Sequence, residues 1–204
     1  MADFSVSLTQ FIDFTLKRSG SARTNFVREI KYREYHPATD YWKQLRDEIK
    51  KLHSEGASLE KLDYLVDRVH ERKRRNYNEA IKLYKRFFRD KNCEWFNPGS
   101  SYWAFNDELI VKSNPEIGLY INGQPHLVKL YFKGQKERID RHNITSTLTL
   151  MNNANFNDVL PDDVQTSVLN IRREKMHTNN FIDDDLLLSL EGDAQQLIYL
   201  LKNV

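Results

Sequence analysis

Asn122-Gly123 stands between two runs in which apolar side chains alternate with others, residues 116–121 and 124–132, and this combination restricts the fold more than any other feature of the chain. A two-residue type I′ turn needs positive φ at both central positions, which Asn and Gly tolerate, and it joins strands whose twist matches its own. The tight turn pairs Ile121 with Gln124 and Ile117 with Val128. Ile117, Leu119, Ile121, Val128, Leu130 and Phe132 then share one face, and they do so even if the loop is widened to four residues. With the tight loop, Glu116 falls directly opposite Lys129 on the other face.

This hairpin lies in the second of two texturally different halves. Asn97-Pro98-Gly99-Ser100 is a cluster of turn formers, after which the apolar period drops from about 3.6 to 2. Residues 101–106 and 108–112 read as a further hairpin around Asp107. Upstream the chain reads as helices. Ser7 with Gln10 is a capping box, Leu8, Phe11, Ile12 and Leu16 give an apolar face, and Gly20 is a stop. A weaker helix runs from Asn25 toward Pro37. Trp42, Leu45, Ile49 and Leu52 form a stripe ended by Gly56, and Leu59, Leu62, Leu65, Val66 and Val69 repeat it. Asn76 with Glu79 suggests a cap for a helix carrying Ala80, Ile81, Tyr84, Phe87 and Phe88, one long bent helix being the alternative. Downstream, Ile139, Ile144, Leu148 and Met151 suggest a crossover helix despite the β-branched Thr145, Thr147 and Thr149. Val168–Arg172 reads as a strand. Asp183-Asp184-Asp185 then caps a terminal helix striped by Leu187, Leu190, Ala194, Leu197 and Leu201. The fold class is α+β: a helical half at 1–95, then an antiparallel β-meander with a crossover helix, a further strand and a C-terminal helix at 96–204, the two halves packed separately or as one domain.

Familiar chemistries have no local support. The sequence holds no G-x-S-x-G, G-x-x-x-x-G-K or G-x-G-x-x-G motif. Its six histidines never sit at i, i+4, and the single cysteine, Cys93, excludes an intramolecular disulfide and a thiolate-rich zinc site. Cys93 beside Glu94 reads as a small buried apolar residue. The N-terminal residues lack a basic n-region and an apolar h-region, and no stretch reaches the roughly 20 apolar residues of a membrane span. The expectation is a cytoplasmic protein with no membrane partner.

The succession of helix, antiparallel strands, helix and strand over residues 58–175 resembles the αβββαβ core of the PD-(D/E)XK nucleases. In that family an acid on the second core strand and an acid-x-Lys on the third hold divalent metal and orient water. The resemblance implies Glu116 as the second-strand acid and Lys129 as the catalytic lysine. It departs at Leu127, which stands where the third-strand acid belongs; for Lys133 the equivalent residue is Tyr131. A Mg²⁺ site on Glu116 would need a replacement carboxylate, with Glu108, Asp107 or Glu94 nearest in sequence. Without one no cofactor is expected, and Glu116 with Lys129 reads as an exposed cross-strand ion pair.

Charge supplies the second lead. The formal net charge is +2, yet residues 68–91 hold ten Lys or Arg against three acids, and residues 155–204 hold four against nine. On a helix, Arg72, Arg75, Lys82, Arg86 and Arg89 form a cationic ridge of the kind that binds phosphates of DNA or RNA, and with Lys73 and Arg74 they are the candidate nucleic-acid-binding residues. Tyr77, Tyr120 and Tyr131 are candidate base-stacking rings. The competing readings are that these cations complement a helix end, cover apolar surface with their stems, and are neutralised by the acidic C-terminal segment. Surplus leucines at 186, 188 and 200 suggest that the terminal helix buries a second face, in its own core or in a homodimer. The expected function is nucleic-acid binding on a degenerate nuclease-like core, non-catalytic or weakly catalytic. The alternatives are a protein-interaction module (inhibitor, antitoxin or accessory subunit) that uses the basic helix, and a nuclease with a migrated carboxylate.

Overall fold

The computed structural model describes residues 2–17, 20–32, 40–133, 139–179, 181 and 183–204. In chain order the elements are β1 (Phe4–Ser7), α1 (Leu8–Leu16), α2 (Ser21–Tyr32), α3 (Lys43–Ser54), a 3-10 turn (Leu59–Leu62), α4 (Asp63–Arg68), α5 (Glu71–Phe88), β2 (Cys93–Phe96), β3 (Ser101–Phe105), β4 (Leu109–Lys112), β5 (Ile117–Ile121), β6 (Gln124–Tyr131), α6 (Thr145–Asn152), β7 (Asn155–Phe156), β8 (Gln165–Asn170), a second 3-10 turn (Ile171–Arg173), β9 (Lys175–Asn179) and α7 (Asp184–Asn203). The class is α+β, as the two textures of the sequence predict. Among the described residues no helix is long and apolar enough to cross a membrane. The expected extension of α2 toward Pro37 falls partly outside the described residues.

The two expected hairpins both form, but they enter different sheets. β3 and β4 belong to a small sheet of order β1-β4-β3-β7, whereas β5 and β6 belong to a large one of order β2-β5-β6-β8-β9. Asn122 and Gly123 adopt φ of 51° and 86°, and the register pairs Ile121 with Gln124 and Ile117 with Val128. β8 lies parallel to β6, its direction restored by the α6 crossover, and β9 returns antiparallel to it. β2 pairs with β5 and brings Phe96 so close to Gly118 that a Cβ there would sit 2.6 Å from the Phe96 carbonyl oxygen. Glycine is therefore required at 118 by proximity, not by φ.

The large sheet is buried on both faces. Ile117, Leu119, Val128, Leu130 and Leu169 pack against α3, α4, α5 and the first 3-10 turn, where Leu45, Ile49, Leu62, Ile81 and Tyr84 are fully buried. From the opposite face Tyr131 and Val168 enter a second core with α1, α6, α7 and the small sheet. β1 pairs parallel with β4, so residues from before the turn at 97–100 contribute to both layers. In consequence α5 and α7, the basic and the acidic helix, lie on opposite sides of the large sheet.

Local chemistry accounts for the helix boundaries. Ser7 Oγ accepts from the Gln10 amide at 3.2 Å while Gln10 Oε1 accepts from Ser7 N at 2.8 Å, the reciprocal pair of a capping box. Asp183 caps α7 through the Leu186 amide at 2.7 Å. The basic helix begins earlier than Asn76 predicts. His70 Nδ1 accepts from Arg72 N at 3.2 Å and starts α5, while Asn76 donates from mid-helix to the Tyr41 hydroxyl.

Candidate functional site: a basic helix and a buried ion-pair network

α5 turns its apolar residues to the sheet and its cations outward. Tyr77, Ala80, Ile81, Tyr84 and Phe88 are buried. At about 100° per residue, Arg72, Arg75, Lys82, Arg86 and Arg89 fall within one sector of about 100° on the opposite side, and all five are exposed. The run at 72–75 divides between two tasks. Lys73 Nζ lies 5.3 Å above the Tyr41 ring and 5.9 Å from that of Tyr77. Arg74 reaches back to the carbonyls of Val69 and Asp67 at 3.5 and 3.4 Å, near the end of α4. Arg72 and Arg75 point outward, and their side chains, like those of Lys82 and Arg89, have no hydrogen-bond or ion-pair partner among the described residues.

Position divides the competing reading that these cations complement a helix end: Lys85 and Arg86 in the last turn of α5, and Arg89 at its C-cap, do complement the dipole. Arg72, Lys73 and Arg74 occupy the first turn of α5, the positive end of the helix dipole, where cations are disfavoured instead of complementary. The acids of α7 are across the sheet. Asp193 pairs there with Arg23 at 3.7 Å, and Glu174 is the one acid of residues 155–204 that reaches the basic segment among the described residues. Glu174 grips Arg86 through both guanidinium Nε and Nη2, and this hydrogen bonding holds its carboxyl below the ordinary range. Nearby, Arg172 pairs with Glu79 at 2.5 Å, and Lys85 pairs with Asp63 at 2.8 Å on the other flank of α5.

The expected aromatic platforms are absent from this surface. Tyr77 is fully buried, donates to the Tyr41 carbonyl at 2.6 Å, and is pushed up to about 12 by burial. Tyr131 is 2% exposed, and its hydroxyl donates to Asp13 at 3.2 Å. Tyr120 is half-buried with its ring edge-on to Phe96. Each ring packs because its backbone position faces an occupied side of a helix or sheet.

Glu116 and Lys129 meet as the hairpin register requires, but in a buried setting instead of the expected exposed one. Lys129 Nζ is 2.5 Å from Glu116 Oε1, with side-chain exposures of 7% and 13%. Beyond the last strand pair, Glu116 Oε2 accepts from Leu130 N at 2.7 Å, and Arg46 Nε approaches Oε1 to 3.6 Å from α3. Arg46 in turn binds Asp40. Both Glu116 oxygens thus already serve a lysine, an arginine and an amide. A hard cation needs open carboxylate oxygens, and Leu127, fully buried, adds none. Glu108 lies in the β3–β4 turn of the other sheet and pairs with Lys202. No group of three or more His, Cys, Asp or Glu suited to a metal occurs among the described residues, and this donor set does not fit Mg²⁺.

Two further polar groups escaped the sequence reading. Asp13, inside the apolar stretch of α1, is buried and receives Lys133 as well as Tyr131. A carboxylate flanked by Ile12 and Phe14 was its visible signal. On the α5 side, a cavity of about 300 Å³ beside His53 is lined by Leu52, Phe88, Lys91 and Cys93. Burial raises the Cys93 thiol, which disfavours the nucleophilic thiolate. No protein-family model, curated protein or solved structure matches this chain.

Proposed function

We propose that the protein binds nucleic acid through the outer face of α5, on a nuclease-like core that lacks the carboxylates for metal-dependent cleavage. One observation carries the reading: Arg72, Arg75, Lys82 and Arg89 stand exposed on one ridge with no side-chain partner among the described residues, while the acidic helix α7 lies across the sheet. Like charges gathered along one ridge repel one another in the free protein, and a polyanion relieves it. With β3 and β4 taken as an insertion after β2, the order α5, β2, β5, β6, α6, β8 supports the nuclease-like reading. At the position of the third-strand acid stands Leu127, and Glu116 with Lys129 serves as a structural tie between β5, β6 and α3.

The test is titration of labelled duplex DNA and RNA with the full chain at rising salt. Four phosphate contacts give a log–log slope of about −3.6, a loss of about 150-fold in affinity between 50 and 200 mM salt. Changing Arg72, Arg75, Lys82 and Arg89 together to Gln should abolish binding while leaving the fold intact, since none of the four packs inward. Undiminished binding by that variant refutes the proposal.

A further inference from the structure

Resting on that reading, we infer that the target is the phosphate backbone of a duplex, taken without regard to base sequence. Three features of α5 exclude the other ways in which a helix engages nucleic acid. The first is the direction of its rings. Single-strand binders stack successive bases on exposed aromatic side chains. On α5 the rings of Tyr77, Tyr84 and Phe88 are all buried, and Phe87 is half-buried beneath Lys91, whose Nζ lies 4.2 Å from the ring centre.

The second feature is the state of its flanks. A helix of about 10–12 Å diameter reads bases by sinking into a major groove about 12 Å wide, which requires both flanks to be clear. Neither flank of α5 is clear. The turn at residues 171–174 is fastened along one side by Glu174 on Arg86 and Arg172 on Glu79, and α4 with its preceding turn along the other by Asp63 on Lys85. Only the ridge between them faces outward.

The third is the spacing of that ridge. Arg75, Lys82 and Arg89 recur every seventh residue, about 10.5 Å apart, and together span about 21 Å. That length covers about six base pairs of a duplex, whose charge density of one per about 1.7 Å of axis exceeds that of a single strand. A row of cations along one helix, with no exposed ring on α5 itself, is matched by a regular, densely charged backbone.

The experiment compares the full chain on duplexes of equal length and unrelated sequence, on the corresponding single strands, and with inorganic polyphosphate as competitor. Equal affinity for the duplexes, weaker binding of single strands, and competition by polyphosphate are expected. Arg75→Gln, Lys82→Gln and Arg89→Gln should each lower the salt slope by about 0.9 on every duplex alike. A duplex bound more than about tenfold tighter than another shows base reading, since one mismatched pair in a read site already costs about that much, and overturns the inference. Preference for single strands overturns it equally. Either result leaves nucleic-acid binding standing, whereas failure to bind any of these nucleic acids at low salt refutes the functional reading itself.

Discussion

Acid should weaken this protein through one histidine, and the size of the effect follows from where α3 and α5 meet. His53 is 9% exposed, its ring edge-on to Tyr84 and Phe88. Its Nε2 lies 2.6 Å from Tyr84 Oη. Burial drives the phenol well above its usual range, so it stays protonated and can donate to the neutral imidazole. Burial also lowers the imidazole from 6.5 to about 4. The folded pKa is thus below the unfolded one, so on acidification the unfolded chain takes up the proton first. Stability is full above pH 6.5 and is lost as pH falls from there toward 4. Between about pH 8 and about pH 5 the difference amounts to about 2 kcal/mol. Urea denaturation at the two pH values measures it. His126 and His177 are also lowered by burial and act with the same sign. They are common to the wild type and His53→Gln, so the comparison isolates His53. The variant should lose about 2 kcal/mol of the pH dependence. An imidazole that titrates near 6.5 by NMR, or a variant with undiminished acid sensitivity, refutes this assignment.

Further expectations follow from individual contacts. Glu174→Gln releases Arg86 to phosphate, so the salt slope should steepen by about 0.9 and duplex binding at low salt should tighten; an unaltered slope would show that Arg86 never meets phosphate. Lys129→Met leaves Glu116 buried beside Arg46 alone and should cost about 3 kcal/mol in chemical denaturation, most of it restored by adding Glu116→Gln. Additive losses from the two changes would contradict a coupled tie. Gly118→Ala forces a Cβ against the Phe96 carbonyl and should destabilise by about 1–3 kcal/mol, with β2 separating from β5; a neutral result would mean that the two strands approach less closely.

Much of the local structure was legible because its causes are local. The Asn122-Gly123 turn dictates its own twist and register, so the apposition of Glu116 with Lys129 could be read before any coordinates. Ser7 with Gln10, and Asp183 ahead of the leucine stripe, announce their helices through caps that involve neighbours in sequence. β1 and β9 were not legible. β1 has four residues of which only Val6 is buried, and β9 is a polar edge strand whose one buried residue is His177. Their pairing partners, β4 and β8, supply the strand geometry that their own composition does not. The start of α5 was misplaced for a related reason: His70 is a capping residue that pattern reading does not favour, and it drew the whole basic run into the helix.

By itself the sequence determined the α+β class, the hairpin face that meets the core, and the segregation of positive charge at 68–91 from negative charge at 155–204, but not that β1 and β2 interrupt the half read as helical. Periodicity and composition are properties of neighbouring residues, and a single chain displays them directly. Only the tertiary structure decided what those features do. It assigned the two hairpins to different sheets, enclosed Glu116 among Lys129, Arg46 and the Leu130 amide, turned the tyrosines inward, and put α5 and α7 on opposite faces. Whether opposite charges cancel depends on distance in space, and the sheet that separates these two helices keeps the acids of α7 away from the ridge of α5.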